Sequence, residues 1–313
     1  MSPPPNLAQA IDLQVNGYAG VDFNSDDLSP DDLHGVCQRL KADGVAGILA
    51  TIITDTMERM SARLARLAKL RALDPLAQVV VLGFHIEGPF ISGETGYVGA
   101  HPAAAASPAS VEKMERLLEA ADGLARVVTL APERDPKCQV IRTLAQHGVC
   151  VSAGHCNPTL DQLDAAIDAG LTMFTHLGNG CPLQMHRHDN VVQRVLSRSE
   201  RLWISLIADG VHVPWPALRN YIKLVGCDRA IVVTDAISAA GMPPGNFRIG
   251  EQSVVVDEQG ATWSADRSHL VGSSATMLRI RGNLARELGH SDDEIEMLTS
   301  TNPRRAIGIA LDR

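Results

Sequence analysis

The sequence lacks any CxxC pair. Its six cysteines, Cys37, Cys138, Cys150, Cys156, Cys181 and Cys227, are scattered along 313 residues. That pattern gives no disulfide framework and reads as reduced thiols of a cytoplasmic protein. A basic surplus is also missing. Lys and Arg number 28 against 36 Asp and Glu, and the net charge of −8 argues against nonspecific nucleic-acid binding. No run reaches the roughly 18 consecutive apolar residues of a membrane span. The opening MSPPPNLAQA has neither a basic start nor an apolar stretch, so no signal peptide is expected. No internal repeat is visible. No G-x-G-x-x-G follows the first apolar run, where NGYAGVDFN stands instead, and this counts against an open doubly wound dinucleotide-binding sheet.

What is present is hydrophobicity, 45% of the chain, laid out as eight short apolar runs. They cover 10–17, 44–52, 79–88, 125–133, 148–156, 171–179, 202–210 and 230–236. Helical spacing of apolar residues fills the gaps, as in MERMSARLARLAKLRAL and PTLDQLDAAIDAG. The second of these is expected to start at an Asn157 N-cap and to stop at Gly170. Strands alternating with helices imply a parallel sheet with right-handed crossovers, and eight such units suit a closed (β/α)8 TIM barrel. The main departure is 241–272, where QSVVVD and ATWSA flank a turn at Gln259-Gly260 and read as a β-hairpin excursion after the eighth strand. Helices are expected from about Ser274 to Leu311. The division expected is an N-terminal extension over 1–9 and a single barrel domain over 10–313.

Polar residues gather where these strands end. VLGFHIEGPF runs as core and then places His85 and Glu87 two residues apart, on one face of a strand. Gln14 and Asn16 end the first run, His155 the fifth and His176 the sixth. Asp209 and His212 follow the seventh, and Asp235 ends the eighth. In a barrel these ends converge on one mouth. One Glu and two His from three strands form a sound ligand set for a catalytic divalent metal with a position left for water, and Asp235 could take that water's proton. Gln14 and Asn16 are poor transition-metal ligands, which favours one ion over two. His85 reads as a supporting or packing residue, Cys156 as packing, and His186 and His188 as loop residues at or beside the site.

The stretches IDLQVNGYAGVDFN, GFHIEGPFIS, SAGHCNPT, THLGNG, LIADGVHV, VTDAISAAGMPPG, LVGSSATM and NPRRAIGI resemble, in order, those of N-acetylglucosamine-6-phosphate deacetylase of the amidohydrolase superfamily. They span residues 11 to 309. The resemblance implies an amidohydrolase-type barrel that removes acetate from N-acetylglucosamine 6-phosphate or a related amino sugar phosphate. It implies one divalent metal ion per chain, held by Glu87, His155 and His176, with Zn²⁺ favoured over Fe²⁺, Co²⁺ or Mn²⁺. Asp235 would be the catalytic acid and base. His212 would polarise the acetyl carbonyl and orient the substrate. Substrate contacts are implied at Ala100 and His101, at Asn179 and Gly180, at Arg187, at Asp209, Gly210, Val211 and His212, and at Leu270, Val271 and Gly272. The planar fork of Arg187 suits a phosphate. A homodimer is implied, in which a neighbour completes the phosphate site.

The resemblance breaks in two places. The family carries a small β-sandwich beside the barrel, and the segments before Ala10 and after the last helix are too short to build one. The family also has a bulky aromatic and an NAM sequence after THL, then a glutamate–proline pair after the arginine; here Gly178-Asn179-Gly180-Cys181 and QMHRHDN stand instead. Two other readings follow from these breaks: an amidohydrolase for another N-acyl amine or cyclic amide, and a non-catalytic sugar-phosphate-binding barrel.

Overall fold

A computed structural model of the chain describes residues 9–309. Eight parallel strands form one sheet whose spatial order is their sequence order. They are β1 (Ala10–Val15), β2 (Val45–Ile53), β3 (Val81–Glu87), β4 (Ala125–Leu130), β5 (Cys150–Ala153), β6 (Leu171–Phe174), β7 (Trp203–Ile207) and β8 (Ala230–Val233). Each expected run supplies one strand. The sheet closes into a (β/α)8 barrel of the amidohydrolase type. Its seam is made differently from the other joins. Val15, the last residue of β1, bridges Ala236 beyond the end of β8, and the Asn16 amide donates to the Ala236 carbonyl at 2.7 Å. Below them the Asp12 carboxylate accepts from the Thr234 amide at 3.2 Å and its hydroxyl at 2.6 Å. A side chain thus does at the seam what a backbone ladder does elsewhere.

Two apolar layers explain why these sequences fold this way. Ile11, Leu13, Leu49, Val127, Met173, Ile207 and Val233 form one cluster, against which Ala306 and Ile307 of the C-terminal segment pack. A larger layer joins the outer strand faces to the helices, including Met60 and Leu64 of the helix Met57–Leu73. Cys156 lies fully within it, as expected of a packing residue.

Two local expectations need correcting. The helix Leu160–Ala169 is capped by Thr159, not Asn157. Thr159 and Gln162 form a capping box, while the Asn157 amide donates to Glu133 at 2.6 Å. Gly170 ends this helix in the left-handed region, φ 119°, as expected of a glycine there. The excursion is a three-stranded antiparallel meander rather than a hairpin: β9 (Gly245–Ile249), β10 (Gln252–Val256) and β11 (Thr262–Ser264). The turn at Gln259-Gly260 joins its last two strands. The terminal segment is helical in short pieces, from Met277 to Ala306, with π-helical turns at Leu284–Leu288 and Met297–Thr301. Residues 1–8 of the expected extension, and the end of the last helix at Leu311, lie outside the described residues.

Candidate metal and amide-hydrolysis site

Glu87 is the last residue of β3 and points into the mouth. Its Oε1 stands 3.0 Å from His176 Nε2 and 3.3 Å from His155 Nε2, and the two imidazole nitrogens are 3.1 Å apart. All three residues are buried. Atoms bound at about 2.0–2.2 Å to a tetrahedral ion lie roughly 3.4 Å from each other, so this spacing fits a metal centre. The ring of His155 is set for ligation. Its Nδ1 lies 2.9 Å from the Tyr97 carbonyl, which can only accept, so Nδ1 carries the hydrogen and Nε2 turns a lone pair inward. Gly180 makes room for that ring; a Cβ there would lie 2.9 Å from His155 Nδ1.

Neither histidine sits on its strand. β5 ends at Ala153 and β6 at Phe174, and His155, His176 and Asp235 all adopt positive φ, 50°, 36° and 52°. A left-handed residue just past a strand end breaks the alternation of faces. It turns the side chain over the mouth. Strained backbone of this kind in non-glycine residues costs of order 1–3 kcal/mol each and clusters at functional sites.

Burial would raise the Glu87 carboxyl, but the close His155, His176 and His101 side chains hold it well below the ordinary range. Burial opposes charge on His176, yet its bond to Glu87 and that carboxylate's charge pull its basicity up. Asp235 is half-buried, and desolvation together with the Glu87 charge pushes its carboxyl up to about 6. Asn16 partly offsets this, donating from Nδ2 to Asp235 Oδ1 at 2.8 Å. Gln14 does the same for Glu87, from Nε2 to Oε1 at 3.1 Å. The two amides at the end of β1 therefore serve as donors to the site's two carboxylates.

Asp209 and His212 form a second pair. Asp209 Oδ1 accepts from the Val211 and His212 amides, each at 2.9 Å, and Oδ2 lies 2.7 Å from His212 Nδ1. Burial raises the Asp209 carboxyl, but the His212 bond and charge and these amides hold it below its usual range. His212 is thereby fixed with Nδ1 as donor. His212 also works to lower the Asp235 carboxyl.

The remaining expected residues divide by place. His101 is buried at the ligand cluster itself, with Nε2 3.1 Å from His155 Nε2 and 3.9 Å from Glu87 Oε2. Burial and the neighbouring His155 push it down to about 3, so it is neutral. Ala100 offers its carbonyl to Gln252 of β10, which ties the meander to this loop. Asn179 turns its amide back onto the His176 carbonyl at 3.1 Å. The run Leu270–Gly272 returns to the end of β8: the Val271 amide donates to the Thr262 carbonyl at 2.9 Å, and the next residue, Ser273, donates to the Asp235 carbonyl at 2.8 Å. Gly210 and Val211 are half-buried beside the Asp209–His212 pair. Arg187 is exposed on the loop between β6 and the helix Val191–Leu196, with no hydrogen bond to another described residue. His85 lies apart from the converging ligand atoms. Its Nε2 meets Thr129 Oγ1 at 2.7 Å, and a hydroxyl chain continues through Thr175 to Ser152. Burial pushes His85 down to about 4, in keeping with a supporting role.

Fold and site together define a (β/α)8 barrel of the amidohydrolase class whose mouth carries a buried cluster able to hold a metal ion. Comparison with known proteins carries this further. The chain is 33% identical over 301 residues to N-acetylgalactosamine-6-phosphate deacetylase of Escherichia coli O157:H7, covering 96% of this chain and 77% of that protein. It is 31% identical over 305 residues to N-acetylglucosamine-6-phosphate deacetylase of Bacillus subtilis, covering 97% and 75%. Its fold superposes with a TM-score of 0.87, at 28% identity, on a mutant N-acetyl-D-glucosamine-6-phosphate deacetylase from Mycobacterium smegmatis solved with N-acetyl-D-glucosamine-6-phosphate, covering 98% of this chain and 82% of that one. No protein-family model matches the sequence. On its relatives the chain belongs to the N-acetylglucosamine-6-phosphate deacetylase family, hydrolases of a linear amide.

Proposed function

We propose that this protein hydrolyses the acetamide of an N-acetylated hexosamine 6-phosphate, giving acetate and the free amine. The observation that carries the reading is the convergence of Glu87, His155 and His176 within 3.3 Å of one another, with the half-buried carboxyl of Asp235 carrying a raised pKa under the Glu87 charge. Glu87, His155 and His176 would hold one divalent cation, and Zn²⁺ suits that donor set best. Such an ion supplies positive charge that polarises the acyl carbonyl and acidifies water.

The chain's own residues do the rest. Asn16 holds Asp235 Oδ1, leaving Oδ2 to take a proton from water as its oxygen attacks the acyl carbon. Asp235 then returns that proton to the amine nitrogen as the C–N bond breaks. His212, anchored to Asp209 through Nδ1–H and carrying a second proton on Nε2, donates that N–H to the acyl oxygen as negative charge builds there. His101 and Asn179, which contact His155 and the His176 carbonyl, would border the bound sugar. Arg187 grips the phosphate. Its exposure, next to a loop on which Leu183 is fully exposed, suits a homodimer in which the neighbour closes the phosphate site. The cysteines, all free, suit a reducing, cytoplasmic setting.

The galactosamine epimer is the second substrate reading, favoured by the Escherichia coli relative. Acetate release from N-acetylglucosamine and N-acetylgalactosamine, each with and without the 6-phosphate, decides among these. Turnover of the phosphorylated sugars far above the free sugars is expected. Turnover confined to other N-acyl amines would move the substrate class, and none at all would leave a binding barrel.

A further inference from the structure

Away from the mouth, three potential ligands meet at the opposite end of the barrel. Cys227 lies in the turn that leads into β8, and His290 and Glu294 flank the start of the helix Asp292–Glu296. Their ligand atoms lie within 4.8 Å of one another. Cys227 Sγ is 3.9 Å from Glu294 Oε1, and His290 Nδ1 is 3.3 Å from Glu294 Oε2. We propose that Cys227, His290 and Glu294 form a second, non-catalytic site for a thiophilic divalent cation.

Both backbones that carry the ligands are already fixed. Asn302 Nδ2 donates to the Cys227 carbonyl at 2.7 Å and to the Ala230 carbonyl at 2.8 Å. The His290 amide donates to the Leu284 carbonyl at 3.1 Å, at the π-helical turn. Ser291 and Glu294 form a capping box that commits Glu294 Oε2 to the Ser291 amide at 2.9 Å and leaves Oε1 facing the thiol. Small shifts of side chains alone would close the set onto one ion.

The chemistry of the donors selects the cation. A thiolate, an imidazole and a carboxylate suit Zn²⁺, Co²⁺ or Cd²⁺ rather than Mg²⁺ or Ca²⁺, with water completing the shell. Access is open, since the Glu294 side chain is 43% exposed while that of His290 is 14% exposed. On binding, the Cys227 S–H bond breaks, the proton leaves to solvent, and the sulfur lone pair forms the bond to the cation; no electron changes hands. The ion would fasten the turn before β8 to the terminal helices that cover that end of the barrel.

Co²⁺ titration of the full chain tests this, because thiolate ligation gives a near-ultraviolet charge-transfer band that the Glu87, His155 and His176 set cannot give. The wild type is expected to take up two Co²⁺ per chain and to show the band. Cys227→Ala is expected to lose the band and one Co²⁺ while releasing acetate at the wild-type rate. Glu294→Gln, which keeps the shape and the cap, is expected to weaken the band-forming step tenfold or more, and it stands in should the cysteine variant fail to fold. A wild type without the band, or a band that survives both substitutions, would overturn the proposal. Neither result bears on deacetylation, which is read separately as acetate.

Discussion

Asp235 shows how much one neighbour can set. Burial and the Glu87 charge raise its carboxyl to about 6, and the Asn16 amide works against them by stabilising the ionised form. Asn16→Ala removes that donor, so Asp235 holds its proton to higher pH. The acid limb of the kcat/KM profile is expected to move upward in pH, with activity above it largely kept; an unmoved limb would deny Asp235 the role of base. Arg187 is tested by contrast between substrates. Losing a hydrogen bond to a charged group costs about 1.5–3 kcal/mol, so Arg187→Ala is expected to raise KM for the 6-phosphorylated sugar roughly ten- to a hundred-fold, and to leave the unphosphorylated sugar alone. Equal effects on both sugars would remove the phosphate role. At this scale the identities of Glu87, His155, His176 and Asp235 could be read from residue type and position in the apolar runs. The left-handed backbone that turns three of them over the mouth could not, since no glycine or asparagine marks those positions. The approach of His101 to His155 was hidden too, because it depends on how a loop of fourteen residues folds back.

Elements were legible where periodicity was strong. All eight barrel strands follow from apolar runs bounded by polar residues. β9 is not legible because GNFRI offers only two apolar residues, Phe247 and Ile249, directly after Pro243-Pro244, so its strand character comes from pairing with β10 rather than from its own pattern. The Asn157 cap failed for a different reason. A residue before proline is biased away from the helical region, and the capping signature is Thr159 with Gln162 three residues on. Thr159→Ala is accordingly expected to destabilise the protein by about 0.5–2 kcal/mol, whereas Asn157→Ala should not act through the helix cap. Thermal or denaturant midpoints of the two variants distinguish them. If Thr159→Ala leaves the midpoint unchanged, the cap assignment is wrong.

For the whole molecule, the barrel seam is the distinctive join, and its Asp12 makes stability depend on pH. Burial pushes this carboxyl from 3.8 up to about 7, against the bonds from Thr234 and Gln14. The folded state then holds a proton that the unfolded chain has released, so this group's contribution is full below about pH 4 and is lost as pH rises through 7. Over that window the melting temperature of Asp12→Asn is expected to fall less with pH than that of the wild type; parallel slopes would reject the assignment. The barrel's closure and mouth bring the catalytic claim down to one chemical event, the release of acetate from an amino sugar phosphate under the control of Asp235. The most direct measurement is a time course of acetate formed from N-acetylglucosamine 6-phosphate by the wild type and by Asp235→Asn, both loaded with the same ion to the same content. Acetate and free amine in equal amounts are expected from the wild type, with a rate lower by about 10²–10⁴-fold in the variant. No acetate from the wild type, or equal rates from the two proteins, would contradict it.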